Sequence, residues 1–140
     1  IRAAVRDGHL DDAGQMLGRT FAIEGTVIEG DRRGRELGFP TANLDTDGLV
    51  LPPNGVYAAH VRLGQEAHRS VLNIGLRPTL AKPEPTLQVE AHLLDFDGEL
   101  YGQVMEIEFV EQLRDEQRFD STDELAAQIS RDIEHARTLF

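Results

Sequence analysis

The sequence predicts a small Greek-key β-barrel followed by a single C-terminal helix, and three observations support this fold class. Short segments rich in apolar residues recur between residues 20 and 110. Turn-forming residues separate these segments, most clearly at Pro52-Pro53-Asn54-Gly55. Apolar residues at helical spacing dominate only after residue 120.

The predicted strands are 20–28, 56–63, 68–74, 86–95 and 103–110. We expect the second and third of these to form a hairpin across Gly64, and the last two to pair with each other around an Asp97-Gly98 turn. In the last strand apolar and polar residues alternate, so it is expected to bury one face only.

Helices are predicted at both ends of the chain. Residues 1–18 read as two short helical segments, interrupted at Gly8 and ended by Gly18. Near the C-terminus, Ser121 and Glu124 have the spacing of a capping box. The residues that follow repeat at helical spacing and should face the sheet: Leu125, Ile129, Ile133, Ala136 and Phe140.

Composition excludes several classes of protein. A chain of 140 residues is long enough for one domain with its own core. Its net charge of −11 argues against general binding to nucleic acid or to anionic membranes. The absence of Cys excludes thiolate chemistry, disulfides and Cys-ligated zinc, and the five His residues have no common metal-site spacing. No apolar run has the length of a membrane span and no secretory signal is visible, so we expect a cytoplasmic location.

Residues 30–43, GDRRGRELGFPTAN, carry the strongest functional signal. The segment combines three Gly, three Arg, a hydroxyl and a carboxamide within an acidic chain. Exposed backbone N–H groups, positive charge and oxygen ligands together suit a polyphosphate with a divalent cation. In an extended segment Thr41 and Asn43 would face the same side. The segment therefore predicts a phosphoryl-transfer site, although it lacks the P-loop and dinucleotide-binding signatures.

Each part of this segment also has a simpler interpretation. The Gly residues could serve only in turns, and the Arg residues could form a solvated charge run. The same applies to Glu90, our candidate general base. Strand alternation places it on the polar face of 86–95, where it could either accept a proton or simply be a solvent-exposed glutamate.

Five motifs in order resemble the riboflavin kinase module found in the C-terminal half of bacterial bifunctional FAD synthetases. They are GRELGFPTANL, LPPNGVYA, NIGLRPT, VEAHLLDFDGELYG and LRDEQRFDS. The similarity runs from about Leu17 to the end of the chain. Residues 1–18 resemble the connector that leads out of an N-terminal FMN adenylyltransferase domain, so residues 19–140 are expected to form the kinase barrel.

The resemblance implies a six-stranded antiparallel Greek-key barrel with a C-terminal helix, and it implies phosphorylation of the riboflavin 5′-hydroxyl by ATP to give FMN and ADP. It assigns Glu90 as the general base and places Thr41 and Asn43 at Mg²⁺ and the phosphate oxygens. The loop matching Gly30–Gly38 would wrap the ATP phosphates. Its nucleotide-binding residues would be Gly30, Gly34, Arg35 and Gly38.

A mobile flap over the flavin is implied for Leu113–Phe119, with Arg114 and Phe119 binding the flavin. The sequence departs from the family pattern at Leu80, Ala91 and Asp115, of which the first and last bear on flap stiffness and flavin affinity. A further motif contains Asn73, Gly75 and Thr79. The sequence gives these three residues no chemical role, so we expect them to be turn and barrel-closure residues.

Two other functions fit the sequence. One is a noncatalytic barrel that binds a flavin or a nucleotide, and the other is a kinase of a different small alcohol. The noncatalytic barrel should lack Thr41, Asn43 or Glu90, yet all three are present. The kinase of another alcohol stays open, since flavin contacts through apolar groups and backbone leave no motif.

Overall fold

The computed structural model describes residues 2–18, 21–28, 41–46, 48–77, 86–96 and 100–140. In chain order the elements are α1 Arg2–Arg6, α2 Leu10–Leu17, β1 Ala22–Ile28, β2 Ala42–Leu44, β3 Gly55–Leu63, β4 Glu66–Arg77, β5 Thr86–Leu93, β6 Val104–Arg114 and α3 Thr122–Arg137.

The six strands form a closed antiparallel barrel with the order β1-β2-β5-β4-β3-β6. Strands β3, β4 and β5 are consecutive neighbours, and β6 returns to lie beside β3. This arrangement of four strands is a Greek key. The predicted fold class, including the C-terminal helix, is confirmed.

The predicted hairpin across Gly64 is confirmed, since β3 and β4 pair from Gly55–Ile74 to Leu63–Glu66. The predicted pairing of 86–95 with 103–110 is wrong. Strand β5 pairs with β2 and β4, whereas β6 pairs with β1 and β3. An Asp-Gly pair indicates only that the chain turns at that point. It does not determine the neighbours of β5 and β6, and in the closed barrel each of these strands lies between two other strands.

Asn73 and Gly75 were expected to be turn and barrel-closure residues. Both lie inside the long strand β4 of the closed barrel, so the turn part of this expectation is wrong. Thr79 and Leu80 lie outside the described residues. A β-strand requires no special backbone conformation at these positions, so the Asn and the Gly need another explanation.

Alternation along the strands separates two apolar clusters. The interior cluster includes Leu72 and Ile74 of β4 together with Val89 and Ala91 of β5, all completely buried. The outer cluster lies on the opposite face of the sheet. It contains Val56, Ala58, Val71 and Leu94, with Ala136 of α3 packed against them. The barrel is thus filled with side chains, and α3 covers part of its outer face.

The C-terminal helix begins as predicted. The Ser121 hydroxyl accepts a hydrogen bond from the Glu124 backbone N–H (3.1 Å), and the Glu124 carboxylate accepts one from the Asp120 N–H (3.2 Å). At the other end of the helix, Arg137 pairs with Asp95 just beyond β5. The first two contacts cap the helix locally, and the Arg137–Asp95 pair joins its C-terminal end to the barrel.

The two N-terminal helices are also as predicted. Gly18 ends α2 in the left-handed conformation, with φ of 73°. Val5 and Ala13 are buried in the interior cluster. These helices therefore contribute to the barrel's core, while their role as a connector between domains remains a prediction.

Candidate active site

Three polar residues on neighbouring strands lie side by side, and we call them the polar row: Asn43, Glu90 and Asn73. Glu90 of β5 is the register partner of Asn43 on β2 and of Asn73 on β4. Paired residues in an antiparallel sheet have Cα atoms about 4.5–5.5 Å apart. The Glu90 carboxylate is therefore flanked on both sides by a carboxamide.

The polar row lies on the outer face of the barrel. Asn73 alternates with interior Leu72 and Ile74, and Glu90 alternates with interior Val89 and Ala91. Side chains between two interior residues point to the other face. The candidate site is consequently on the same face as α3, not inside the barrel.

The row continues across the sheet to the predicted flap. Asn73 pairs with Val56 of β3, and Val56 pairs with Arg114 at the end of β6. Neighbouring strands are about 4.8 Å apart, so Glu90 and Val56 are separated by roughly 10 Å. Asn43 lies on the side of Glu90 that leads to the 30–43 segment, and Asn73 lies on the side that leads to Arg114.

Three buried oxygen atoms without a protein partner distinguish this face in the described part of the chain. Asn43 Oδ1, Asn73 Oδ1 and Gln88 Oε1 are buried, and none of them accepts a hydrogen bond within the described part of the chain. Gln88 belongs to the same face of β5 as Glu90, two residues away. Buried polar atoms without partners are costly in a folded protein and usually have a ligand, a water or an ion as partner.

Thr41 directly precedes β2 and is partly buried. It stands two residues before Asn43, so the end of the 30–43 segment lies on the strand next to β5. The other predicted nucleotide-binding residues, Gly30, Gly34, Arg35 and Gly38, lie outside the described residues. Their roles remain predictions.

Arg114 is held by a carboxylate of α3. Its Nε lies 3.0 Å from Asp132 Oδ1, and its Nη2 lies 2.9 Å from Oδ2, which is a bidentate contact. The Phe119 ring lies 5.7 Å from the Arg114 guanidinium carbon. The two residues predicted to bind flavin are therefore adjacent, and Asp132 fixes the orientation of the guanidinium.

The segment after β6 folds back over the outer face. A Cβ built at Gly75 would collide with the carboxylate of Glu116, so this carboxylate lies directly on the β4 backbone. Gly75 is paired with Gln88 in the sheet. An added methyl group would have to displace the flexible end of the Glu116 side chain. The contact places the predicted flap beside the polar row.

Gly55 meets a similar constraint where β3 begins. An added Cβ there would lie 2.6 Å from Gln112 Nε2 and 2.7 Å from the Arg114 carbonyl oxygen. Nearby, the Tyr57 hydroxyl donates a hydrogen bond to the Pro53 carbonyl (2.6 Å). Burial, with a smaller effect of Asp115, raises the pKa of Tyr57 to about 12. Gly55 therefore lies in close contact with the start of the predicted flap.

Two residues that lie beside the predicted site residues have no functional role predicted from the sequence. Asn73 has no chemical role predicted from the sequence, although its alternation with Leu72 and Ile74 in the predicted strand 68–74 places it on an outward face. Asp132 carried no functional prediction. Its position between the apolar residues Ile129 and Ile133 of an amphipathic helix was the available signal, since it puts a carboxylate near the packed face.

Residues 17–140 match the sequence model of the flavokinase family, described as riboflavin kinase. The chain belongs to the riboflavin kinase family. It is 46% identical over 141 residues to the bifunctional riboflavin kinase/FMN adenylyltransferase of Escherichia coli, and 39% identical over 142 residues to that of Bacillus subtilis. All of this chain is covered in both comparisons, but it spans only 44% and 45% of the two relatives.

Solved structures agree with the fold. A riboflavin kinase crystal structure from Trypanosoma brucei matches 84% of this chain and 74% of its own, with a TM-score of 0.59 and 26% identity. A Streptococcus pneumoniae crystal structure described as a macrolide-efflux protein matches 97% of this chain and 44% of its own, with a TM-score of 0.86 and 33% identity. Among the described residues, no helix is long and apolar enough to cross a membrane.

The oxygen atoms at β2 fit a magnesium site that is shared with a substrate. Asn43 Oδ1 is buried and has no hydrogen-bond partner among the described residues, as expected of an oxygen whose partner is a bound ligand or ion. The described residues contain no group of three or more His, Asp or Glu that could hold a metal. Mg²⁺ commonly takes one or two protein oxygens and completes its shell with phosphate and water.

Proposed function

We propose that this domain transfers the γ-phosphoryl group of ATP to the ribityl 5′-hydroxyl of riboflavin, giving FMN and ADP. Family membership supports the reaction class. The observation that carries the assignment to residues is the register of β2 with β5, which pairs Asn43 with Glu90. That pairing puts a carboxylate beside the strand that follows the predicted phosphate-binding loop.

Glu90 is proposed as the general base. The hydroxyl oxygen of riboflavin attacks the γ-phosphorus, the bond from phosphorus to the bridging oxygen of ADP breaks, and the hydroxyl proton passes to the Glu90 carboxylate. Such a base typically contributes on the order of 10²–10⁴ in rate. The remaining catalysis in phosphoryl transfer comes from positioning and from stabilisation of charge.

Thr41 and Asn43 are the residues that would hold Mg²⁺ and the phosphate oxygens. When bound there, the ion would neutralise part of the negative charge on the phosphates. The predicted contribution of Gly30, Gly34, Arg35 and Gly38 is to bind the same phosphates through backbone N–H groups and one guanidinium.

Arg114 and Phe119 are proposed to bind the flavin end of the substrate. Their location across β4 and β3 from Glu90 fits a long substrate whose hydroxyl reaches the carboxylate while its ring system lies at the flap. In the relatives this domain is about 45% of a bifunctional chain. An FMN adenylyltransferase domain in the same chain and a cytoplasmic location are further proposals.

The reaction is tested with purified protein, riboflavin, ATP and Mg²⁺, followed by chromatographic separation of flavins. We expect FMN and no FAD. In parallel reactions, riboflavin is omitted or replaced with other small alcohols, and ADP is measured. ADP formed faster with another alcohol than with riboflavin would identify a kinase of that alcohol. Flavin binding without any product would identify a noncatalytic barrel and refute the proposal.

Glu90→Gln tests the base at nearly constant shape. Turnover should fall by about 10²–10⁴ while riboflavin and ATP bind with affinities close to those of the wild type. Glu108→Gln is the matched control, since Glu108 lies on the outer face of β6 in an ion pair with Arg62, away from the polar row. Wild-type turnover in Glu90→Gln would remove Glu90 from the mechanism.

A further inference from the structure

Asn73 has the geometry of a substrate-positioning residue that the sequence did not reveal. It is the register partner of Glu90 on the side opposite Asn43, and it faces the same outer surface. Its Oδ1 is buried and accepts no hydrogen bond in the part of the chain that the structure describes. No comparison assigns a role to this residue.

A structural role does not account for this side chain. Serine and asparagine side chains that stabilise a fold do so by forming hydrogen bonds, as Ser70 of the same strand does with the Ala59 carbonyl (3.1 Å). Asn73 Oδ1 instead is buried without a bond from any residue that the structure describes, and such burial costs stability. Such local conflicts in a native protein are concentrated at functional sites.

The position of Asn73 selects the part of a ligand that it would contact. Thr41 and Asn43, the described residues proposed to bind phosphate, lie on the β2 side of Glu90, and Arg114, proposed to bind the flavin, lies beyond β3. A substrate that extends from Arg114 to Glu90 must cross β4 at Asn73, because β4 separates β3 from β5. The Asn73 acceptor therefore suits a second hydroxyl of the substrate, located about one strand spacing from the hydroxyl that reacts at Glu90.

We propose that Asn73 Oδ1 accepts a hydrogen bond from an inner hydroxyl of the ribityl chain and thereby places the terminal hydroxyl at Glu90. This inference rests on the proposed function and adds a specificity requirement to it. A good substrate must be a polyol, with a second hydroxyl besides the one that is phosphorylated. Gln88, whose buried Oε1 also has no partner within the described residues, lies on the same face at the next position along β5.

The test compares riboflavin with its 2′-, 3′- and 4′-deoxy analogues, each of which keeps the 5′-hydroxyl. For the wild-type protein, kcat/KM with at least one analogue should be about tenfold or more below the value with riboflavin. The reason is that the Asn73 acceptor has no hydrogen-bond donor when the analogue lacks the hydroxyl. Asn73→Ala should show about a tenfold higher KM for riboflavin and should no longer discriminate against that analogue. Its KM for ATP should stay unchanged.

Stability separates this role from a structural one. Because Asn73→Ala removes an unpaired buried acceptor, its Tm without ligand should be no lower than that of the wild type. Asn73→Ser keeps an acceptor and should retain part of the discrimination. Arg62→Ala, on the outer face of β3 away from the polar row, serves as the control variant.

The outcomes distinguish the inference from the proposed function. Undiminished discrimination in Asn73→Ala, or a Tm several degrees below the wild type, would overturn the role of Asn73 even if FMN is formed. If the wild type forms no FMN from riboflavin, the proposed function fails, and the positioning role fails with it.

Discussion

Removing the Asp132 carboxylate should destabilise the folded protein, because the carboxylate neutralises Arg114 in a largely dry setting. The Arg114 Nε and Nη2 atoms lie 2.9–3.1 Å from the two Asp132 oxygens. The side chains of Arg114 and Asp132 are 18% and 6% exposed. Asp132 also accepts a hydrogen bond from Gln128 (2.9 Å).

The expected magnitude follows from this burial. Breaking a buried ion pair by removing one partner typically costs about 3–5 kcal/mol, because the other charge stays uncompensated. Arg114 retains some contact with water and keeps the Asp115 carbonyl as an acceptor. We therefore expect Asp132→Ala to lose about 3 kcal/mol, which lowers the Tm of a domain of this size by roughly 10 °C.

Urea unfolding followed by far-UV circular dichroism measures this loss, since the chain has no Trp for fluorescence. Asp95→Asn is the matched control, because it removes a carboxylate charge from the exposed pair with Arg137 on the same helix. Since Asn tolerates the positive φ of this position (57°), this variant should leave Tm nearly unchanged. The double variant Arg114→Met/Asp132→Leu should recover most of the stability. A loss below about 1 kcal/mol in Asp132→Ala would show that the pair behaves as a surface salt bridge and would refute the reasoning.

Three further predictions concern single side chains. Thr41→Ala should weaken binding of Mg²⁺-ATP, and isothermal calorimetry that finds unchanged affinity would count against the metal role. Gly55→Ala should cost about 1–3 kcal/mol in urea unfolding, since β6 occupies the space of the added methyl group; equal stability would contradict the observed close approach. The pKa of Tyr57 is about 12 in the folded protein and 10 in the unfolded chain, so the folded protein favours the neutral phenol. The contribution of the neutral phenol to the free energy of unfolding is therefore complete below pH 10 and is lost as the pH rises toward 12. Tyr57→Phe should not lose this stability between pH 10 and 12. If the free energy of unfolding depends on pH in the same way in the two proteins from pH 9 to 12, the raised pKa of Tyr57 is refuted.

Features that depend on nearby residues could be predicted from the sequence. The hairpin across Gly64 requires only two strand-forming segments and a short turn. The start of α3 requires only Ser121 and Glu124 at capping-box spacing. The Ser121 hydroxyl accepts the expected bond from the Glu124 N–H, whereas the Glu124 carboxylate accepts from the Asp120 N–H instead of that of Ser121. The one-sided burial of β6 follows from alternation, with Met105, Ile107 and Phe109 inside.

Strand partners at long range could not be predicted in the same way. The Asp97-Gly98 signal favoured pairing of the strands on either side of it, but a turn signal says nothing about competing partners elsewhere in the chain. Each edge of β5 and β6 had to be covered when the barrel closed. Strands β2 and β4 cover β5, whereas β1 and β3 cover β6.

This difference explains why the candidate site could be predicted only in part. Alternation alone puts Glu90 and Asn73 on outward faces, but it does not say which outward residues become neighbours. Had β5 paired with β6 as expected, one edge of β5 would have been occupied by β6, and Glu90 could not have had both Asn43 and Asn73 as partners. The Greek-key order supplies both neighbours, one from β2 and one from β4. The polar row is therefore a consequence of topology, and the chemical role proposed for Asn73 depends on neighbours that only this topology supplies.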